Sequence, residues 1–103
     1  MQVDWKEDAE ERFEEAIDYG EKKFGKIIAG KFYWDVMRQI DLLCDNPFLG
    51  KREPLLKGRS EEFRSLVIHP HYKLIYLVAH AKITIVDFWD VRREPSSLAD
   101  HIR

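Results

Sequence analysis

The sequence predicts a two-layer α+β domain in which a helical hairpin packs on one face of an antiparallel sheet, in the order β-α-α-β-β-β. Three observations support this fold class. Apolar residues recur at three- and four-residue steps as far as residue 45, which is the period of a helix that buries one side. From Phe63 onward, polar and apolar residues alternate, as they do in a strand. The length of 103 residues suits one domain, 1–103.

The first predicted elements are a brief strand and a helix. Val3 and Trp5 alternate with polar residues in "MQVDW", which predicts a short strand. Asp8 and Glu11 form a D-x-x-E pattern that is typical of a helix start. The apolar stripe that follows predicts a helix at about 8–23.

A second apolar stripe predicts another helix at about 26–45. Only "FGK" separates the two helices, and so short a connection permits little besides an antiparallel hairpin. The second stripe includes Cys44, which we expect to be a buried, inert thiol. Residues 45–62 contain two prolines and two glycines, which predict an irregular connector.

Three strands are predicted at 63–69, 72–79 and 82–90, and together they form an antiparallel meander that the first strand joins at an edge or beside a neighbour. Only His80 and Ala81 separate the last two strands, which predicts a tight hairpin. Ser96 or Ser97 could cap a short closing helix that runs to Arg103. Alternation along the first of the three strands puts its side chains on two faces, Arg64, Leu66 and Ile68 on one and Phe63, Ser65, Val67 and His69 on the other.

Composition limits the compartment and the partners. A single cysteine excludes an intramolecular disulfide and favours a reducing compartment. There is no apolar N-terminal segment and no apolar stretch of membrane-spanning length, so we expect a cytoplasmic protein with no membrane partner. Residues 1–50 carry seven Lys or Arg against twelve Asp or Glu, whereas residues 51–103 carry ten against seven. This split indicates a polar interaction surface rather than a general coat for nucleic acid.

The usual catalytic signatures are missing from the sequence. It contains no P-loop, no G-x-S-x-G and no G-x-G-x-x-G, and Cys44 lies in an apolar stripe that does not suit a nucleophile. His69-Pro70-His71 resembles a fragment of a metal site, but further ligands at finger-like spacing are missing. We therefore expect neither a metal nor a small-molecule cofactor.

Basic residues on the predicted sheet are the remaining candidates for a site. Arg64, Lys73 and the pair Arg92–Arg93 lie on three consecutive strands or just after them, and adjacent strands are only about 4.8 Å apart. Convergence on one patch near His69 and His71 could support cleavage of an RNA phosphodiester by its own 2′-hydroxyl, with cations neutralising the phosphorane and a histidine as base or acid. The alternative is a set of weak surface ion pairs that tie strand ends together. Those pairs would join Arg64 to Glu61, Glu62 or Asp90, and Arg93 to Asp87 or Glu94.

Four motifs in a fixed order resemble the RelE/ParE superfamily of toxins from type II toxin–antitoxin systems. They are Asn46-Pro47-x-x-Gly50 after the second helix, Arg64 opening a strand, Tyr72-Lys73-x-x-Tyr76 in the next strand, and Arg92-Arg93 after the last one. The resemblance runs through nearly the whole chain. It implies the RelE/ParE fold and an antitoxin as partner.

Within the superfamily, the resemblance leaves the target open. RelE-like members cut mRNA in the ribosomal A site without metal, and their catalytic positions would correspond to Arg64, Lys73 and Arg93, with His71 as a further candidate. ParE-like members poison DNA gyrase. RelE-like sites often carry a second basic residue on the strand where this chain has Leu66, and a Tyr or His near the C-terminus, where only His101 could serve. These departures, the pI of about 6.1 and the long hairpin favour a ParE-like function. A third alternative is a degenerate toxin that merely binds its antitoxin.

The resemblance also implies a small antitoxin that wraps the domain, with an acidic segment that complements the arginines and folds on binding. We expect its contacts to include Tyr33, Trp34 and Met37 on the second helix, together with Lys73 and Arg92. The alternative is that Trp34 and Met37 are ordinary core residues.

Overall fold

The computed structural model describes residues 1–93 and 95–102, and it confirms the predicted hairpin-on-sheet architecture. The two long helices and the last two long strands begin and end within a residue of the predicted positions. In chain order the elements are β1 (Gln2–Trp5), α1 (Glu7–Phe24), α2 (Lys26–Asp45), β2 (Lys51–Arg52), a 3₁₀ helix (Pro54–Leu56), β3 (Arg64–His69), β4 (Tyr72–Ala79), β5 (Lys82–Asp90) and α3 (Ser96–His101).

The five strands form one mixed sheet in the order β1-β5-β4-β3-β2. β1 pairs with β5 in parallel, whereas the other three pairings are antiparallel. The predicted antiparallel meander is confirmed for β3, β4 and β5, and β1 lies at an edge, one of the two predicted positions. The antiparallel sheet of the prediction is in fact mixed, because the hairpin returns the chain so that β1 and β5 run in the same direction. The predicted irregular connector at 45–62 also contains β2 and the 3₁₀ helix.

The start of α1 differs from the predicted D-x-x-E cap. Lys6 is the N-cap residue and makes no capping hydrogen bond with its side chain, while Asp8 lies inside the first turn. The first turn is rich in carboxylates instead, which are stabilised by the partial positive charge at a helix N-terminus. The helix ends where Gly25 adopts a φ of 90° and donates its N–H to the Glu21 carbonyl, a conformation that glycine adopts without strain.

Two apolar clusters pack on opposite faces of the sheet. The hairpin-face cluster lies between the sheet and the two long helices, and Cys44 is half-buried at its edge rather than fully buried as predicted. The opposite-face cluster is closed by the 3₁₀ helix and α3, which the sequence did not predict as a covering layer. Its buried members are Leu56, Phe63, Ile75, Val86, Trp89, Leu98 and Ile102.

The β4–β5 turn confirms the predicted tight hairpin. His80 and Ala81 have φ values of 53° and 60°, as the two central residues of a type I′ turn require. This turn gives the twist that suits a two-residue hairpin, although neither residue is the glycine or asparagine that usually occupies it.

A β-bulge in β3 overturns the predicted face of His69. The pairing with β4 shifts register between Val67 and His69, so the simple alternation of side chains fails there. The His69 ring lies edge-on to Phe32 of α2, with centroids 5.6 Å apart. His69 therefore faces the hairpin instead of sharing the face of Phe63, Ser65 and Val67.

The closing helix forms, but neither predicted serine is its N-cap. Ser96 is the first residue of α3, Pro95 occupies the N-cap position, and the predicted end at Arg103 lies outside the described residues. No helix in the described part of the chain combines the length and apolar character needed to cross a bilayer.

Candidate functional site

Arg64 and Lys73 lie on opposite faces of the sheet. Arg64 pairs in register with Tyr76, whose ring belongs to the hairpin-face cluster. Lys73 pairs with Val67 on one side and with Trp89 on the other, and Trp89 belongs to the opposite-face cluster. Because directly paired residues share a face, the two cations point away from each other.

The Lys73 ammonium is held by a carboxylate that sequence reasoning missed. Its Nζ forms a short ion pair with Oε1 of Glu53, whose side chain is fully buried. The other Glu53 oxygen accepts a hydrogen bond from the Leu55 amide at 2.8 Å, at the start of the 3₁₀ helix. Both Glu53 oxygens are thus occupied, and the pair fixes the connector to β4.

Arg64 is fixed by the loop that follows α2. Its Nη1 donates to the Gly50 carbonyl at 2.8 Å, and its guanidinium lies 4.8 Å from the centre of the exposed Phe48 ring. Glu62 approaches Nη2 at 3.5 Å, as one of the predicted strand-end ion pairs required. These contacts order the side chain, which is mostly buried, at the end of β3 next to β2.

Arg92 lies at the other end of the sheet, just after β5, and pairs with the carboxylate of the last residue of that strand. Two guanidinium nitrogens, Nε and Nη2, donate to Asp90 at 3.0 and 2.9 Å. The hydrogen bond from Arg92 lowers the pKa of Asp90 below its ordinary value, since it favours the ionised carboxylate. Asp90 pairs in register with Tyr72, the first residue of β4.

Arg93 belongs to a network that joins β5, α1 and α3. Its guanidinium lies 5.0 Å from the centre of the Trp89 ring, and its Nη2 is 3.3 Å from Nε2 of His101. The other ring nitrogen of His101 is 2.7 Å from Nη2 of Arg12. Arg12 in turn forms an ion pair with Asp87, which replaces the predicted pairing of Asp87 with Arg93.

The predicted convergence of the cations is therefore wrong. Arg64 pairs with Tyr76, four residues along β4 from the Tyr72–Asp90 pair beside Arg92, which is about 13 Å along a strand. Lys73 lies on the other face. A pattern of basic residues on successive strands gave their order in the chain but not their faces or their partners.

The two histidines of the β3–β4 turn lie at the end of the sheet near Arg92. The His71 amide donates to Nδ1 of His69 at 3.2 Å, and the two rings are 5.4 Å apart. Partial burial lowers the pKa of His69 below its ordinary value, and the positive charges of His71 and Arg92 lower it further. Because His71 lies near Arg92, it is remote from Arg64, and the sheet separates it from the side chain of Lys73.

The residues of α2 that were predicted to contact the antitoxin lie on a different side of the hairpin from His69, His71 and Arg92. Tyr33 stacks on Phe13 with ring centroids 5.8 Å apart, and Trp34 is 66 % exposed. Met37 packs against the hairpin-face cluster, as the core alternative predicted for it. A cavity of about 430 Å³ lies beside Tyr33 and Met37 and carries three carboxylates, from Glu10, Glu14 and Asp18. Lys73 and Arg92 contribute nothing to this acidic cavity.

A second, smaller groove of about 270 Å³ lies at the tip of the hairpin. We call it the hairpin-tip groove. α1 and α2 form its apolar walls, and the β3–β4 turn and Arg92 close its other side. Its lining residues are Ala16, Tyr19, Gly20, Lys23, Phe24, Ile28, Ala29, Phe32, His69, His71, Tyr72 and Arg92.

No three His, Cys, Asp or Glu side chains within residues 1–93 and 95–102 are arranged to hold a metal ion. Sequence reasoning missed the polar residues Glu53 and Arg12, and it named Asp87 only as a partner of Arg93, whereas Asp87 pairs with Arg12. Glu53 lies in a segment without periodicity, and Arg12 reads as one more charge on an acidic helix. Only Asp87 carried a signal, as a carboxylate inside the apolar run "ITIVDFW", because a buried charge needs a partner.

Comparison with known proteins places this architecture. The family model described as the ParE toxin of type II toxin–antitoxin system, parDE, matches residues 3–95. Among solved structures, a chain of a chromosomal ParDE toxin–antitoxin system from P. aeruginosa superposes with a TM-score of 0.71 at 19 % identity, covering 87 % of this chain and 95 % of that one.

Two further structures share the fold. A YoeB dimer from Staphylococcus aureus has a TM-score of 0.61 at 18 % identity, over 86 % of this chain and 94 % of that chain. A YoeB/ParE toxin from Agrobacterium tumefaciens has a TM-score of 0.62 at 17 % identity, over 87 % and 98 %. No match was found among curated proteins. Since the family model spans nearly the whole chain, the protein belongs to the ParE toxin family of type II toxin–antitoxin systems.

Proposed function

We propose that this toxin inhibits growth by acting on DNA gyrase and that its cognate antitoxin neutralises it by binding. Membership of a type II family implies the antitoxin partner. Gyrase is the target that the ParE-like resemblance implies, and the cytoplasm is the compartment in which the toxin would meet it.

The dispersal of the cations is the observation that carries this proposal. Metal-independent cleavage of RNA needs positive groups that act together on one phosphorane, with an acid and a base in reach. Here Arg64, Lys73 and Arg93 are separated by the sheet or engaged by partners of their own. The arrangement supports a toxin that acts by binding rather than by transferring protons.

Overall charge supports the same choice. The chain has a net charge of −2, and its first helix carries carboxylates on its exposed positions. Proteins that bind ribosomal RNA gain much of their affinity from neutralising phosphates. An acidic toxin is better matched to a protein surface.

The direct test compares the two targets with one preparation of purified toxin. Relaxed plasmid, gyrase and ATP are incubated with increasing toxin, and the products are separated before and after denaturation of the enzyme. We expect supercoiling to fall and linear DNA to appear after denaturation, since poisoning traps the cleaved complex. Addition of the antitoxin in equimolar amount should restore supercoiling.

The competing activity is measured by primer extension on an mRNA that is being translated. Toxin-dependent cuts at ribosomal A-site codons, together with undisturbed supercoiling, would replace the gyrase proposal by the RelE-like one. Loss of these cuts in the Arg64→Ala, Arg93→Ala double variant would then assign those residues to cleavage. If neither gyrase nor mRNA is affected, the protein is a toxin that has lost its activity and retains only the ability to bind its antitoxin.

A further inference from the structure

The hairpin-tip groove combines an apolar floor with a basic rim. Phe24 of α1 and Ile28 of α2 line it, and both side chains are at least half exposed. Phe32 lines the groove, and its ring is tilted by 51° against that of Tyr72, with 5.6 Å between the ring centroids. Exposed apolar side chains around a concavity are typical of a surface that another protein covers.

Among the described residues that line this groove, those with charged side chains are basic. Lys23 lies on α1, with its Nζ 3.0 Å from the Tyr19 hydroxyl, and Arg92 lies opposite at the end of β5. His69 and His71 line the same groove. The hydrogen bond from Lys23 lowers the pKa of Tyr19, which is the effect of a charged ammonium at this rim.

This polarity stands out on an acidic protein. The cavity on the other side of the same hairpin is bordered by Glu10, Glu14 and Asp18, whereas none of the lining residues of the hairpin-tip groove is acidic. Among the described residues, the carboxylate of Asp90 contacts the rim through its ion pair with Arg92. A segment of negative charge is therefore attracted to this groove and repelled from the other cavity.

We propose that the hairpin-tip groove is where the antitoxin docks, and that it takes an acidic segment with one large apolar side chain between Phe24, Ile28 and Phe32. Carboxylates beside that side chain pair with Lys23 and Arg92. The inference rests on the antitoxin partner that the family implies and not on gyrase as the target. It moves the predicted contact away from Tyr33, Trp34, Met37 and Lys73, and keeps Arg92.

Two glycines on the hairpin allow a matched steric test. Gly20 lines the groove on α1, and Gly30 lies outside it on α2. A Cβ at either position meets nothing within 4 Å, and replacing a helical glycine raises helix propensity. Gly20→Leu fills the groove and Gly30→Leu does not, while both variants are expected to fold.

Affinity is measured by titrating each toxin variant with the purified protein encoded by the adjacent antitoxin reading frame. We expect Gly20→Leu to weaken binding by about a hundredfold, as is typical for blocking the central pocket of an interface. Gly30→Leu should bind within about threefold of the wild type, since substitutions outside the buried contacts are nearly neutral. Circular dichroism and thermal melting check that both variants are folded.

A charge test addresses the acidic character of the partner. The double variant Lys23→Gln, Arg92→Gln should bind about tenfold or more weakly and lose part of the salt dependence of binding. The matched control is Lys31→Gln, Arg38→Gln, which removes two exposed cations of α2 outside the groove. It should retain both the affinity and the salt dependence of the wild type.

Three outcomes would overturn the docking proposal. The first is unchanged antitoxin affinity of Gly20→Leu, and the second is an equal loss in Gly20→Leu and Gly30→Leu. The third is a Gly20→Leu toxin that binds antitoxin normally but no longer inhibits growth, because the groove would then belong to the target interface. None of these measurements uses gyrase, so a failure of the target proposal is recognised separately by the supercoiling assay.

Discussion

Arg12 and Asp87 form an ion pair, 2.6 Å between Nη1 and Oδ1, that ties the first helix to the interior of the sheet. Asp87 is fully buried, next to Val86, the extra residue of a β-bulge in β5. β1 pairs with β5 only as far as Ile85, so Arg12 reaches Asp87 where the sheet edge is no longer covered by a strand. The other terminal nitrogen of Arg12, Nη2, contacts the ring of His101 in α3. One arginine therefore holds three elements together.

Removal of this arginine should cost a large share of the stability. In Arg12→Ala the Asp87 carboxylate stays buried without its counter-charge, and breaking a buried pair from one side costs about 3–5 kcal/mol. Its other oxygen, Oδ2, already has no hydrogen-bond partner among the described residues, so the remaining protein offers little compensation. The free energy of unfolding from urea titration measures the loss.

The control for this prediction is an ion pair on the surface. Arg38 and Asp35 are 3.2 Å apart, and both side chains are more than half exposed. Arg38→Ala should change the free energy of unfolding by less than about 1 kcal/mol, as surface pairs do. An Arg12→Ala protein no less stable than Arg38→Ala would show that Asp87 finds another partner.

Gly50 should be far less tolerant of substitution than the helical glycines. A Cβ at Gly50 would lie 2.5 Å from the Ser65 carbonyl oxygen and 2.7 Å from the Tyr76 hydroxyl. That hydroxyl accepts from the Gly50 amide and donates to the Pro47 carbonyl, each at 2.9 Å. Gly50→Ala should therefore destabilise by about 1–3 kcal/mol through overpacking, and more if the buried hydrogen bonds break.

Thermal denaturation of two alanine variants checks this prediction. Gly20→Ala, where the added Cβ has open space, should be stabilised by about 1 kcal/mol because alanine has the higher helix propensity. Opposite changes in the melting temperature of Gly50→Ala and Gly20→Ala are expected. A Gly50→Ala protein as stable as the wild type would mean that the loop after α2 moves away from β3 at little cost.

The elements that the sequence predicted correctly are those with a long periodic pattern. α2, β4 and β5 each repeat their apolar period several times, and a repeated period specifies both the type and the extent of an element. β2 has only two residues, so no period exists to be recognised. The direction of β1 depends on how the hairpin returns the chain, which is a property of the tertiary fold.

The candidate site was less predictable because it depends on faces and partners. The bulge in β3 turns His69 toward the hairpin, whereas Pro70, which follows it, indicates the turn and not a change of face within the strand. Glu53 reaches Lys73 from a connector that has no regular pattern. Even so, the sequence predicted that strand-end arginines could be engaged in ion pairs, and Arg64 with Glu62 is one of them.

Stability should fall in mildly acidic solution because of His69. Partial burial lowers its pKa below the ordinary value of 6.5, with further contributions from His71 and Arg92. As the pH falls through 6.5, the unfolded chain binds a proton at this position before the folded protein does. The contribution of neutral His69 is thus complete above this pH and is lost as the pH falls toward the lowered pKa of the folded state. Its other neighbours are Phe32 on α2 and Tyr72 on β4.

Chemical denaturation at several pH values between 5 and 8 measures this dependence. His69→Asn removes the titrating ring, so its free energy of unfolding should vary less with pH than that of the wild type. The matched control is His80→Asn, which removes an exposed histidine from the β4–β5 turn at a positive φ that asparagine tolerates. If the pH dependence of the free energy of unfolding disappears in His80→Asn and persists in His69→Asn, His80 causes it and the prediction for His69 is wrong.

The packing of α3 against the rest of the protein should depend on a hydrogen-bond acceptor at position 101. The ring nitrogens of His101 face two guanidinium groups, Nδ1 that of Arg12 at 2.7 Å and Nε2 that of Arg93 at 3.3 Å. A guanidinium can only donate, and a neutral imidazole has one accepting nitrogen, so the ring can accept from one of the two arginines at a time. His101→Gln keeps an acceptor oxygen, whereas His101→Lys adds a third cation beside the two arginines. We expect amide exchange in α3 to accelerate by about tenfold in His101→Lys relative to His101→Gln, a difference of about 1.4 kcal/mol in the opening free energy.

The exchange rates of β4 amides, which lie in the centre of the sheet, provide the internal reference, since the two variants should differ only where α3 detaches. Equal exchange of α3 in both variants would show that Leu98 and Ile102, buried in the opposite-face cluster, hold the helix without help from the histidine.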